Sequence, residues 1–255
     1  MSSPRDAGGR GEGRCGERGR GERGCGDGSP GDRTAPTTGQ AGSSWSAGAA
    51  PSPTGQPQVR DQAVAYPVTS SETVFQGRVW DIVAEEATLP DGVSIRREFM
   101  AHPGAVAIIA VDCQDRVLLQ RQYRHPVRAL LWEPPAGLLD VAGEPALATA
   151  KRELHEEADL TASDWRPLLS FNTTPGGTSE VIHLFLARGL APVPPGERFQ
   201  REDEEAGLVP AWLPLDEAVG LVMDGAIGSP SAVVGLLAAA QARRQEGGWD
   251  ALPAA

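Results

Sequence analysis

The chain has 255 residues, with 23 Lys plus Arg against 34 Asp plus Glu and a formal net charge of −11. That acidic balance argues against a grip on nucleic-acid phosphates. No stretch reaches the roughly 18 apolar residues of a membrane span, and no apolar signal-peptide core follows Met1. Cys15, Cys25 and Cys113 are too scattered for a disulfide framework or a zinc site. A cytoplasmic protein is expected.

Residues 1–65 hold 15 of the 31 glycines, 8 Arg against 7 acids, and few large apolar side chains. Such a segment cannot bury enough surface to offset its ordering entropy, so a disordered tail is expected there and one domain over 66–255. The Arg-Gly repeats between Arg10 and Arg23 carry Glu17 and Glu22 and no aromatic residue, which makes an interaction module built on this tail the weakest reading. Beyond it, alternation predicts a strand over 75–86, a turn at Pro90-Asp91-Gly92 and a returning strand over 93–101, together an antiparallel hairpin. The apolar run 105–111 suits a strand buried on both faces, and 117–123 follows after a turn. Residues 132–137 read as a rigid turn around Pro134-Pro135. Then come a helix over 145–158 with Pro145 at its first position, strands over 165–172 and 181–187, a strand over 208–213, and helices over 215–223 and 231–245. Strands mixed with three helices predict an α/β fold with a mixed sheet between helical layers.

The helix over 145–158 carries Arg152-Glu153-Leu154-His155-Glu156-Glu157. At about 100° per residue Glu153, Glu156 and Glu157 share one flank, while Leu147, Ala150, Leu154 and Ala158 face inward. Like charges at this spacing cost roughly 0.2–0.5 kcal/mol per pair. They also crowd toward the helix C-terminus, where the macrodipole disfavours anions. A hard divalent cation held by carboxylate oxygens would reverse that balance, with Mg²⁺ or Mn²⁺ preferred over zinc because the cluster offers only oxygen. His155 points elsewhere and gives no reason to invoke zinc.

From Gly137 through Glu144 to Glu157 the chain resembles the Nudix box, a glycine, a glutamate and then R-E-U-x-E-E-x-G-U with U apolar. Two positions depart from it. Six residues rather than five separate Gly137 from Glu144, and Asp159 stands where the family has glycine. The resemblance runs from Phe75 to about Arg244 and implies an α/β/α sandwich, with the box at 137–160. Within the family the chain is similar to the ADP-ribose pyrophosphatase branch. The features that carry this are Arg96-Arg97-Glu98, Gln122-Tyr123-Arg124 and the Pro-Gly-Gly-Thr-Ser-Glu loop at 175–180.

That likeness implies Mg²⁺-dependent cleavage of ADP-ribose into AMP and ribose 5-phosphate by a homodimer whose N-terminal hairpins swap. It implies metal ligation by Glu153 and Glu157, with Glu156 beside them and the Ala136 carbonyl completing the shell. It also implies a catalytic glutamate in the acidic segment 201–205. Glu204 is the closer match by spacing to Trp212-Leu213-Pro214-Leu215, and Glu205 is the alternative. Arg97 and Arg124 are candidate phosphate contacts because the guanidinium offers a planar fork of donors. Glu133 and Glu180 are candidate substrate groups. Two other readings stay open: a pyrophosphatase for another nucleoside-diphosphate sugar or a dinucleotide, and a sensor domain that binds such a nucleotide without turnover.

Overall fold

The computed structural model describes residues 59–201 and 207–255. The chain divides between residues 61 and 62, and the strands and helices among the described residues lie in the second unit. Most of the expected tail falls outside the described residues; 59–67 carry no helix or strand and are exposed.

The N-terminal part is a three-stranded antiparallel sheet rather than a two-stranded hairpin. It consists of β1 (Val68–Phe75), β2 (Asp81–Thr88) and β3 (Ser94–Ala101), in that order. The strand expected over 75–86 is interrupted at 76–80. There the Gly77 N–H donates to Asp81 Oδ1 at 3.2 Å, and any side chain at Gly77 would run into the Trp80 carbonyl. All eight residues of β1 are exposed, so backbone pairing to β2 supports it, not a buried face.

The next strand, β4 (Ala105–Ala110), is buried at every position. Its alternate side chains serve opposite layers. Val106 and Ile108 pack with Ala150 and Leu154, while Ile109 packs with Leu236 and Ala240. The first pair of partners belongs to α1 (Ala146–Ala158) and the second to α3 (Pro230–Arg244). β5 (Arg116–Arg124) and β6 (Ala129–Glu133) lead to the short β7 (Ala136–Leu138). After α1 come β8 (Leu160–Asn172), β9 (Val181–Pro192), β10 (Val209–Pro214) and α2 (Leu215–Met223). One sheet runs β7-β4-β9-β8 with β4 and β9 parallel, and a second runs β10-β5-β6. This is the expected α/β architecture, a mixed sheet and an antiparallel one between α1 on one side and α2 with α3 on the other.

Expected bounds for 93–101, 105–111, 117–123 and the three helices hold within a residue or two. β8 and β9 each extend five residues further than expected, because Leu160 pairs with Pro192 and Asp164 with Arg188. The turn expected at 132–137 is confined to Pro134-Pro135, since Trp132 and Glu133 end β6 while Ala136 opens β7. Pro145 takes the cap position of α1 rather than its first turn. At the other end Asp159 adopts the left-handed conformation (φ 52°, ψ 38°), and its N–H reaches the His155 and Leu154 carbonyls. No helix among the described residues is long and apolar enough to cross a membrane.

Candidate active site

The flank of α1 opposite its apolar stripe is organised around Arg152. Its guanidinium lies 2.8 Å from Glu153 Oε1, 3.0 Å from Glu156 Oε2 and 3.4 Å from Glu144 Oε2. Partial burial pulls the Arg152 pKa down, but attraction to Glu153 and hydrogen bonds to Glu144 and Glu156 outweigh it and raise the value above the ordinary one. The cation therefore stays charged and offsets the repulsion that the like charges impose on the helix. Glu144 reaches this cluster despite the extra loop residue, and its Oε2 also accepts from Thr149 Oγ1 at 2.9 Å. Gly143 takes φ +80° in that loop.

The C-terminal carbonyls of α1 are met by side chains from other elements. Gln120 Nε2 on β5 donates to the Glu157 carbonyl at 2.6 Å, and Arg201 Nε donates to the Glu156 carbonyl at 2.8 Å. Arg201 also pairs with Asp159 Oδ2 at 2.7 Å. Helix α1 is thus tied down at the turn that carries its acids.

Two cavities meet at β7. The smaller, about 290 Å³, is bounded by Glu153 and Glu157 with Ala136, Gly137, Arg124 and Arg152. Glu157 Oε2 accepts the Ala136 N–H at 3.0 Å, which locks β7 against α1. Glu153 is only 8% exposed. A Cβ at Gly137 would collide with its carboxylate, so this glycine is required by close approach. Glu156 turns to Arg152 and does not border the cavity. Among the described residues no three His, Cys, Asp or Glu side chains converge in an arrangement that would hold a metal ion as they stand. The donor chemistry of this cavity nonetheless fits a hard divalent cation, since Glu153 and Glu157 present oxygen and no nitrogen or sulfur ligand intrudes.

The larger cavity, about 620 Å³, lies on the other side of β7. Arg124 and Glu133 border it along with Trp80, His102, Thr173 and Glu180. Arg124 Nε and Nη2 both donate to Glu133 Oε2, at 3.0 and 2.6 Å, and Ser229 Oγ donates to Glu133 Oε1 at 3.0 Å. Glu180 accepts from Thr173 Oγ1 at 2.6 Å. The Gly104 N–H donates to His102 Nδ1, which leaves the Nε2 proton facing Glu180 Oε1 at 3.4 Å. The indole of Trp80 lies over the His102 ring, with centroids 5.4 Å apart.

The structure therefore gathers Arg124, Glu133, Ala136, Glu153, Glu157 and Glu180 around these two cavities. Arg97 is not among them: it is exposed on β3, and its Nη1 donates to the Arg96 carbonyl at 2.8 Å. Glu204 and Glu205 lie outside the described residues. Trp80, His102, Thr173 and Ser229 escape a reading of the sequence. Only Ser229-Pro230 leaves a signal, as a cap-and-proline pair at a helix start, and that signal points to local structure rather than to a site.

Comparison with known proteins agrees with this geometry. The NUDIX domain family matches residues 101–232. An ADP-ribose pyrophosphatase of Mycobacterium tuberculosis is 41% identical over 173 residues, 68% of this chain and 82% of that protein. One from Bacillus subtilis is 36% identical over 153 residues, 60% of this chain and 80% of that protein. A solved ADP compounds hydrolase shares the fold at TM-score 0.59 and 23% identity, covering 71% of this chain and 96% of its own. With more than half of its length matched by the family and its box helix folded against the cavity, the chain belongs to the NUDIX family of hydrolases.

Proposed function

We propose that the chain hydrolyses the diphosphate of ADP-ribose to AMP and ribose 5-phosphate, using Mg²⁺, with Mn²⁺ as a substitute. The observation that carries this reading is the pair of cavities joined across β7. One is large enough for a nucleoside and sugar and lined by hydroxyl, carboxylate and aromatic groups; the other is walled by Glu153 and Glu157; Arg124 borders both. A diphosphate laid between them would meet Arg124 and the carboxylates together. The similar proteins whose names specify ADP-ribose support the choice of substrate.

When bound, a divalent cation supplies neutralisation of the diphosphate charge and a more acidic water. Glu153 and Glu157 would hold it, with the Ala136 carbonyl and with Glu156 released from Arg152. The Arg124 guanidinium, set by Glu133, binds a phosphate. Glu180, oriented by Thr173 and His102, accepts from a sugar hydroxyl. Water oxygen adds to one phosphorus, the bridging P–O bond breaks, and Glu204 takes or orients the water proton, with Glu205 the alternative. Glu204→Gln is expected to lower kcat by about 10²–10⁴-fold while leaving metal affinity nearly unchanged. Near-wild-type rates for Glu204→Gln, Glu205→Gln and the double variant would remove the base from this segment.

A second copy of the chain would cover the exposed edge strand β1, where Val68, Val74 and Phe75 lie open. A swapped arrangement would also bring Arg97 to the partner's cavity. Sedimentation of the purified chain reads the oligomeric state directly. Substrate is tested with a panel of ADP-ribose, GDP-mannose, a UDP-sugar and a dinucleotide at saturating Mg²⁺, with products separated by chromatography. ADP-ribose is expected to give the highest kcat/KM, and a tenfold preference for another compound would replace it.

A further inference from the structure

Ser229 stands at the N-cap position of α3, where a serine hydroxyl ordinarily accepts an N–H from the second or third helical residue. It makes no such cap, although its φ of −67° and ψ of 130° are those of a capping residue. The hydroxyl, 1% exposed, donates instead to Glu133 Oε1 at 3.0 Å and lies 3.2 Å from Ser231 Oγ. A helix cap is forgone to hold a carboxylate 96 residues away.

That carboxylate has both oxygens engaged. Oε2 takes Nε and Nη2 of Arg124, and Oε1 takes Ser229. A carboxylate held at only one oxygen can rotate about its Cγ–Cδ bond; held at both, its plane is set, and so is the guanidinium that rests on it. Arg124 needs such support because its side chain is 43% exposed and rich in rotamers. Its Nη1 has no protein partner among the described residues and remains available to a phosphate.

On the basis of the proposed function, we infer that Ser229 is a positioning residue for that reaction. Acting through Glu133, it fixes the Arg124 guanidinium at the junction of the two cavities. The start of α3 is thereby mechanically part of the phosphate site, and Glu133 serves the arginine rather than the substrate directly.

The test is a double-mutant cycle read by binding as well as by rate. Calorimetric titration of ADP-ribose in EDTA gives affinity without turnover, and steady-state rates with Mg²⁺ give kcat and KM. Ser229→Ala is expected to weaken ADP-ribose binding about tenfold, the scale of one hydrogen bond to a charged group. Ser229→Thr keeps a hydroxyl and is expected to restore affinity to within about twofold of wild type. In an Arg124→Ala background, Ser229→Ala should add no more than about twofold, because the group it acts through is gone. Undiminished binding by Ser229→Ala, or the same tenfold loss in the Arg124→Ala background, overturns the inference. If Ser229→Ala does not fold, Glu133→Gln takes its place under the same criterion. Wild-type protein that binds ADP-ribose without turning it over overturns the hydrolase reading alone, and the cycle still decides Ser229. Wild-type protein that does neither overturns both.

Discussion

The two strands β1 and β4 are formed by opposite means. β4 is a row of six apolar residues buried on both faces between α1 and α3, so its position follows from packing. β1 reads VTSSETVF, is exposed at all eight positions, and is held by its ladder to β2. Where burial dictates the strand, neighbouring segments are fixed with it, and this is where the chain places its carboxylates. Where only the ladder dictates it, an edge strand is left with exposed apolar side chains, a condition that favours covering by another chain.

The contrast can be broken at its buried end first. Ile109→Ala opens a cavity among Leu119, Leu186 and Leu236 and is expected to cost about 2–5 kcal/mol, measured by urea unfolding. A cost under about 1 kcal/mol would mean that the layer facing α3 is not the packed core described.

The turn between β4 and β5 gives an intermediate effect with a pH signature. Asp112 accepts the N–H groups of Gln114 and Arg116 at 2.9 Å each and pairs with the Arg116 guanidinium at 2.7 Å. Partial burial would raise its pKa, but these donors outweigh it and hold the carboxyl below its ordinary 3.8. A depressed folded value stabilises the fold above the unfolded pKa, and that stabilisation is lost as pH falls from 3.8 through the folded value. Asp112→Asn is expected to cost about 1 kcal/mol at pH 7, with the difference from wild type shrinking in acid over that interval. A constant difference from pH 7 to pH 2 would contradict the assignment.

The smallest stability effect belongs to the exposed strand. Val74→Ser with Phe75→Ser is expected to change unfolding stability of the isolated chain by less than about 0.5 kcal/mol. The same pair should shift the sedimentation profile toward monomer. A large loss of stability with no change in assembly would show that β1 packs against its own chain.

How far the sequence discloses the fold tracks the same division. The α1 carboxylates are legible because like charges at helical spacing oppose stability unless something offsets them, and the intervening apolar residues fix which flank they share. Part of the offset is Arg152, a residue of the same motif. β4 is legible as an unbroken apolar run. β1 is not, because its residues answer to no buried face, and β6 and β7 are short enough to be masked by Pro134-Pro135. In the site, Arg124, Glu133 and Glu180 can be picked out by residue type. Their partners Ser229, Thr173 and His102 cannot, since a hydroxyl or imidazole acquires its role only through long-range contact. Glu156 lies on the right helix, yet its flank is shared with Arg152, and spacing alone does not say which neighbour takes its carboxylate.

The central claim is that Glu153 and Glu157 on α1 carry metal-dependent hydrolysis of ADP-ribose. The most direct measurement is formation of AMP and ribose 5-phosphate by the full chain, by Glu153→Gln and by Glu157→Gln across a Mg²⁺ titration, with melting temperatures recorded for each. The wild type is expected to form the two products in equal amounts and to need Mg²⁺. Each variant should keep its fold and lose at least about 100-fold in rate, because an amide oxygen is a weaker ligand for a hard cation. Near-wild-type rates in either variant at saturating Mg²⁺, or intact ADP-ribose in the wild-type reaction, would contradict the account.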